Sequence, residues 1–243
     1  MKAIETKQLT KQFKTKTAVN SIDLSVEEGE LFALLGVNGA GKTTTIRMLT
    51  CLSVPTSGEA YIKGHSVTGE KAEIKRIIGI SPQDTAVADN LTVRENLEFM
   101  AKVYGFDKKK ASERVTEMLG MVGFGEVENS RAKTLSGGWK RKLSIAMAII
   151  GEPELLFLDE PTLGLDVLAR RELWRSISKL KGKITIVLTT HYMEEAEELS
   201  DRIAVMIDGK IAATGTLAEL EALTGKTGLE EAFITIAEGD AIQ

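Results

Sequence analysis

Apolar positions along this chain follow two rhythms. Short apolar runs and alternations predict strands over residues 4–9, 21–26, 31–35, 59–63 and 77–81. The turn signals Glu27-Glu28-Gly29-Glu30 and Thr56-Ser57-Gly58 separate them, and Pro82 closes the last. Between residues 91 and 150 the spacing becomes helical. Thr92 with Glu95 has the form of a capping box for a helix running to Tyr104, with Gly105 as its stop. Val115, Met118, Leu119 and Val122 make one stripe of a second helix over 111–121, and residues 137–150 form a third. Strands return at 155–158, 184–189, 203–207 and 210–213. Helices follow over 166–180, 192–199, 217–223 and 229–236. Asp166 is placed to cap the first of these helices, and Asp208-Gly209 marks a hairpin turn.

Strands alternating with helices imply an α/β fold with a mostly parallel sheet. The helical block, about residues 88–150, lies between two parts of that sheet and reads as an inserted subdomain. We expect a domain over residues 1–215 and a C-terminal helical tail over 216–243. Internal repeats and low-complexity segments are absent from the sequence.

Composition changes this picture little. The chain has 243 residues, 43% hydrophobic and 27% charged, which is ordinary for a globular protein. A net charge of −4 argues against a nucleic-acid partner. Lys108-Lys109-Lys110 is the densest basic run and reads as a solvated face or loop. Cys51 is the only cysteine, so no thiolate metal site can form, and a small buried apolar role is expected for it. No run of 18 apolar residues and no leader pattern occurs, which favours the cytosol.

The candidate chemistry starts at Gly36-Val37-Asn38-Gly39-Ala40-Gly41-Lys42-Thr43, which fits the phosphate-loop pattern Gly-x-x-x-x-Gly-Lys-[Ser/Thr]. Consecutive backbone N–H groups must curl around phosphate oxygens, and Gly36, Gly39 and Gly41 permit the close approach and unusual dihedrals this needs. Lys42 brings positive charge to the outer phosphates, and Thr43 offers a hydroxyl to Mg²⁺. The apolar run 31–35 precedes the loop. Thr44 opens a helix on which Ile46, Leu49 and Leu52 recur at helical spacing, so the phosphates would meet a helix N-terminus.

A second apolar strand, 155–158, ends in Asp159 and Glu160. An Asp there can order the Mg²⁺ shell, and a neighbouring Glu can polarise an attacking water. A solvated acidic turn is the plain alternative. His191 ends the strand 184–190 at the same edge of the sheet and could sense a γ-phosphate, although a lone histidine is more often structural. Gln83 follows the strand 77–81 and is unremarkable alone.

Between these motifs stands Leu135-Ser136-Gly137-Gly138-Trp139-Lys140-Arg141. It resembles the signature motif of ATP-binding cassette (ABC) ATPases. The order matches that family throughout: Phe13, the loop Gly36 to Thr43, Gln83, Leu135 to Trp139, Asp159 and Glu160, Leu163 to Asp166, then His191. The implied fold is an α/β phosphate-loop NTPase of the ABC type. It has a mostly parallel core sheet, an antiparallel β-subdomain and an inserted α-helical signature subdomain.

The resemblance also implies roles. Phe13 stacks on adenine. Asn38 to Thr44 cradle the phosphates of ATP, with Lys42 on the outer groups. Thr43, Gln83 and Asp159 arrange Mg²⁺, Glu160 is the general base and His191 the γ-phosphate sensor. Ser136, Gly137 and Gly138 face a nucleotide held by a second cassette, and Asp166 lies in the loop linking the two sites. The implied partners are that second cassette, most simply a second copy in a head-to-tail homodimer, and separate polytopic membrane subunits at the cytoplasmic face of the membrane. Residues 84–104 would border the docking groove for the membrane subunits.

Two positions depart from the family pattern. Trp139 stands where Gln is common, and Phe13 where Tyr is frequent. Trp139 to Lys142, Arg170-Arg171-Glu172-Leu173-Trp174 after Gly164-Leu165-Asp166, and Gly228 to Phe233 resemble the drug, lipid or polysaccharide export branch. A soluble, non-transport cassette acting as a switch or scaffold is the alternative function. A DNA-associated cassette is disfavoured because heptad arrays and Cys clusters are missing from the sequence. A non-hydrolysing module is disfavoured by the presence of both Glu160 and His191.

Overall fold

A computed structural model describes residues 1–239, and residues 240–243 of the expected C-terminal tail lie outside the described residues. In chain order the strands are β1 (Lys2–Phe13), β2 (Lys16–Ile22), β3 (Ser25–Glu27), β4 (Leu31–Leu35), β5 (Ser57–Ile62), β6 (His65–Ser66), β7 (Ile78–Ser81), β8 (Leu155–Asp159), β9 (Thr185–Thr190), β10 (Arg202–Ile207) and β11 (Lys210–Gly215). The helices are α1 (Lys42–Leu49), α2 (Lys71–Ile77), α3 (Val93–Val103), α4 (Lys108–Val122), α5 (Gly137–Ile149), α6 (Val167–Ser178), α7 (Met193–Leu199), α8 (Leu217–Thr224) and α9 (Leu229–Glu238).

Strands β1, β2, β3, β5 and β6 form an antiparallel sheet, and the others form a second sheet in the order β11-β10-β4-β9-β8-β7. Within the second sheet β10 and β11 pair antiparallel, while the remaining pairs are parallel. Every residue of β4 and β8 is buried, as expected of parallel strands covered on both faces. The register aligns Leu35 with Thr190, Asp159 with Thr189 and Ser81 with Leu158. Strands β4, β9, β8 and β7 therefore end together, and Gly36, His191, Glu160 and Gln83 emerge along one edge.

Helices α3, α4 and α5 are inserted between β7 and β8. Buried Val93, Leu97, Val115, Met118 and Phe124 of this block share one apolar cluster with Leu156, Leu158, Ile186 and Leu188 of the sheet. The block is thus seated on the sheet's core. The capping box of α3 forms as its residues require: Thr92 Oγ1 accepts from the Glu95 N–H at 3.1 Å, and Glu95 Oε2 accepts from the Thr92 N–H at 2.7 Å. Such a cap contributes about 1 kcal/mol. Helices α8 and α9 cover another part of the sheet, where Leu220, Leu229, Phe233 and Ile236 join Ala33, Leu35 and Val205.

Three expectations need correction. Residues 21–26 are not one strand; the chain turns between β2 and β3 because Thr6 Oγ1 donates to Ile22 O at 2.9 Å and accepts from the Leu24 N–H at 2.8 Å. That bridge holds β2 and β3 apart while both pair with β1. Helix α2 occupies a stretch to which the sequence pattern assigns no element, and it buries only Ile74. Helix α1 stops at Leu49, so Leu52 leaves the buried stripe and is 60% exposed, while Ile46 and Leu49 are buried. Cys51 is half-buried, in a left-handed conformation with φ 60°.

The seam between α5 and β7 is tight. A Cβ at Gly79 would lie 2.2 Å from Ala148 O, a backbone atom that cannot swing away. Gly79→Ala is expected to destabilise the fold by about 1–3 kcal/mol. Gly120 is exposed within α4 and has nothing within 4 Å of an added Cβ. Gly120→Ala is expected to stabilise by about 0.5–1 kcal/mol, from helix propensity alone. Thermal denaturation of both variants should place them on opposite sides of the parent.

Candidate functional site

The loop between β4 and α1 is shaped by its neighbours as much as by any ligand. A Cβ at Gly36 would lie 2.3 Å from Met206 O, and one at Gly41 would lie 2.4 Å from Ala18 O. The expectation that all three glycines make room for phosphate therefore narrows. Gly36 is demanded by the end of β10, and Gly41 by β2 as well as by its φ of 111°. Gly39, with φ 85° and nothing within 4 Å of an added Cβ, is the one whose freedom opens onto solvent. Helix α1 begins at Lys42 with no side-chain cap, so its first N–H groups are left for another acceptor.

Beside this loop lies an open cleft of about 440 Å³. Asn38, Gly39, Gly41, Lys42, Thr43 and Thr44 form its floor, with Gln83 and Glu160 on one side. Phe13, half-exposed, stands at its mouth. Gly36, Val37 and Ala40 do not line it; Ala40 is buried and Val37 points to solvent. Lys16, Ala18 and Leu163 also line the cleft and were missed. Nothing in the polar run around Lys16 marks it, because only the pairing of β1 with β2 brings it beside Phe13.

The charged groups converge on Glu160. Lys42 is 4% exposed; its Nζ donates to Gly36 O at 2.8 Å and lies 3.4 Å from Glu160 Oε1. His191 Nδ1 lies 3.4 Å from the same carboxylate oxygen. Glu160 itself has φ 46°, a left-handed conformation that costs a non-glycine residue about 1–3 kcal/mol. Its N–H donates to both the carbonyl and the hydroxyl oxygen of Thr189, each at 3.1 Å, which holds the strained turn in place. Next to it, Thr43 Oγ1 donates to Asp159 Oδ1 at 3.1 Å, and Thr189 Oγ1 donates to the same oxygen at 2.5 Å. A hydroxyl and a carboxylate oxygen so placed are hard donors of the kind Mg²⁺ takes.

Other expected site residues lie elsewhere. Ser136 caps α5, accepting from the Trp139 N–H at 3.4 Å, and Ser136 and Gly137 are exposed. Asp166 caps α6, accepting from the Leu168 and Ala169 N–H groups at 3.0 and 2.9 Å. Added Cβ atoms on Gly137 and Gly138 would lie 3.7 Å from Leu165 and 3.1 Å from Ala169. These residues thus form one surface with the start of α6, and none of them lines the cleft that holds Lys42. Trp139 turns inward: its ring lies 5.4 Å from that of Phe124, and Lys142 Nζ sits 4.6 Å from its centre.

A family model described as ABC transporter matches residues 19–163. The human phospholipid-transporting ATPase ABCA3 is 45% identical over 217 residues, so this chain, matched over 88% of itself, spans 13% of that protein. The daunorubicin/doxorubicin resistance ATP-binding protein DrrA of Streptomyces peucetius is 42% identical over 229 residues, covering 94% of this chain and 69% of that protein. Among solved structures, a dimeric ATP-binding cassette in a post-hydrolysis state with ADP and Pi superposes with a TM-score of 0.79. It is 28% identical and covers 88% of this chain and 98% of its own.

Helix α7, which starts two residues after His191, carries a group that reads in sequence only as part of an acidic helix. Glu195 is fully buried, and its Oε1 accepts from Trp174 Nε1 at 2.9 Å. Its Oε2 has no hydrogen-bond partner among the described residues, nor have Thr162 Oγ1 and Arg170 Nε. Burial pushes the carboxyl above the usual range, against the opposing pull of Thr190, Trp174, Thr162 and Arg170. A raised value in the folded chain means that the proton stabilises the fold, a contribution lost as pH rises through that value. Glu195→Gln keeps the acceptor for Trp174 and cannot ionise. Its Tm advantage over the parent is expected to grow as pH rises above the ordinary carboxylate range and to vanish below about pH 4. A Tm difference that does not change with pH would contradict the burial argument.

Proposed function

Because this chain belongs to the ABC transporter family, we propose that it is the ATP-binding and ATP-hydrolysing cassette of a transporter. The observation that carries this reading is the convergence of Lys42 and His191 on Glu160 Oε1, at 3.4 Å each, beside the uncapped start of α1. The loop fits a nucleotide. Its free N–H groups and Lys42 suit phosphate oxygens, Phe13 is exposed for stacking on a base, and Thr43 and Asp159 suit Mg²⁺. Bound Mg²⁺ would supply neutralisation of the phosphate charge.

Each of the chain's own groups then has a task. Lys42, released from the Gly36 and Val37 carbonyls it now contacts, pairs with the outer phosphates. Glu160 takes the proton of the attacking water. His191 orients Glu160 from the other side and senses the terminal phosphate. Gln83, just past the end of β7, would help to hold the cation. Asn38, Gly39, Gly41 and Thr44 supply the floor.

The site is completed by a second cassette. Ser136, Gly137, Gly138 and Asp166 lie outside their own cleft, on a surface beside exposed Val167 and Leu168, and so are free to face another copy's nucleotide. The dimeric cassette with a similar fold supports this arrangement. Closing and reopening of the pair would drive separate polytopic membrane subunits from the cytoplasmic face. No helix among the described residues is long and apolar enough to cross a membrane. The names of the drug-resistance and phospholipid-transporting relatives support export of an amphipathic substrate.

Two substitutions separate binding from chemistry. Glu160→Gln is expected to slow phosphate release about 100-fold to 10,000-fold while Mg-ATP still binds. Lys42→Ala is expected to weaken nucleotide binding itself. Near-normal turnover in Glu160→Gln would overturn the assignment of the base.

A further inference from the structure

Helix α5 runs along β7 with contacts at three levels. Ala148 O presses against Gly79, where an added Cβ would come within 2.2 Å. Ser144 Oγ and Ser81 Oγ are 2.9 Å apart and buried. One turn nearer the start of α5, Arg141 donates from Nη1 to Pro82 O at 2.8 Å and from Nη2 to Gln83 O at 2.7 Å. Positions 141, 144 and 148 share one face of a helix, so this is a single seam. Its innermost levels are rigid close approaches. Its outermost level is a long side chain, placed where the chain leaves β7 for the nucleotide cleft.

Arg141 is 5% exposed and forms no ion pair among the described residues within its hydrogen-bonding reach. Burial lowers its pKa from the ordinary range, against the more distant carboxylates of Asp159, Asp84 and Glu195. A buried cation with only carbonyl partners is a poor way to stabilise a core, since an apolar side chain of similar size avoids the desolvation. A planar guanidinium on two successive carbonyls does something an apolar group cannot: it fixes the orientation of the segment it holds.

We propose that Arg141 is a positioning residue that sets how Gln83 enters the nucleotide cleft and ties it to the helix that opens at Ser136. Ser136 lies five positions before Arg141 on α5, about 7.5 Å along the axis. A shift of this end of α5 therefore moves the Gln83 backbone directly. The cleft in one chain and the surface that faces a partner's nucleotide are joined through two hydrogen bonds. This inference rests on the proposed role of Gln83 toward bound Mg²⁺.

The test uses the full chain with Arg141→Gln, Arg141→Lys, Gln83→Ala and the double variant Arg141→Gln/Gln83→Ala. Equilibrium ATP binding is measured as Mg²⁺ is titrated, and backbone hydrogen exchange is measured without nucleotide. Arg141→Gln is expected to raise the Mg²⁺ midpoint roughly 10-fold to 100-fold, as loss of a ligand-orienting partner does. It should leave Mg²⁺-free ATP binding unchanged and speed exchange over residues 82–85. In the Gln83→Ala background it should add nothing further. Arg141→Lys keeps the charge but cannot span both carbonyls, so its shift should be intermediate; it also replaces Arg141→Gln if that variant does not fold. A midpoint that moves with Gln83→Ala but not with either Arg141 variant overturns the proposal, as do additive shifts. If Gln83→Ala itself leaves the midpoint unmoved, the role of Gln83 fails. Exchange over 82–85 then decides the tether alone: faster exchange in Arg141→Gln supports it and unchanged exchange overturns it.

Discussion

One carboxylate oxygen, Glu160 Oε1, organises the site. It lies between Lys42 Nζ and His191 Nδ1, and each of those residues follows a different strand of the parallel sheet. The triad forms only because β4, β9 and β8 end in step, with Leu35 opposite Thr190 and Asp159 opposite Thr189. A one-residue slip would turn Asp159 and Thr189 to opposite faces and remove the hydroxyl that holds both Asp159 and the Glu160 N–H. Register, set by apolar packing across the whole sheet, is thus the constraint on which the chemistry depends. The left-handed backbone at Glu160 is tolerated because that register supplies two acceptors for its N–H.

The second feature is a division of labour between two faces of one chain. Lys42, Glu160 and Gln83 look into one cleft, whereas Ser136 and Asp166 cap helices on another surface. Helix α5 belongs to both. Its first turn is half-buried, with only Gly137 fully exposed, and its remainder is buried against β7 and the helical block. Trp139, which departs from the family's usual residue, packs into that block against Phe124 and beneath Lys142, and Lys142 in turn pairs with Glu172 of α6 at 2.8 Å. The departure therefore alters how α5 is anchored rather than what Ser136 presents.

Local signals carried most of what was legible in advance. The phosphate loop, the capping box at Thr92 and Glu95, the cap at Asp166 and the buried runs of β4 and β8 each depend on neighbours a few residues away. What stayed hidden depends on distant partners. The break between β2 and β3 is made by Thr6, and the need for glycine at positions 36 and 41 is made by Met206 and Ala18. Arg141 sits in a basic run and Glu195 in an acidic helix. Each looks like a solvated surface charge until β7 or α6 is packed over it. A buried charge is invisible to periodicity, which registers apolar residues only.

In the function we propose, the cleft of one chain is completed by the Ser136 surface of another. The most direct test is the mass in solution of the Glu160→Gln chain, measured by light scattering with and without Mg-ATP. With the proposed base removed, nucleotide should stay trapped, and the chain is expected to change from monomer to dimer only when Mg-ATP is present. A chain that binds Mg-ATP at saturation and remains monomeric would contradict a self-completing site.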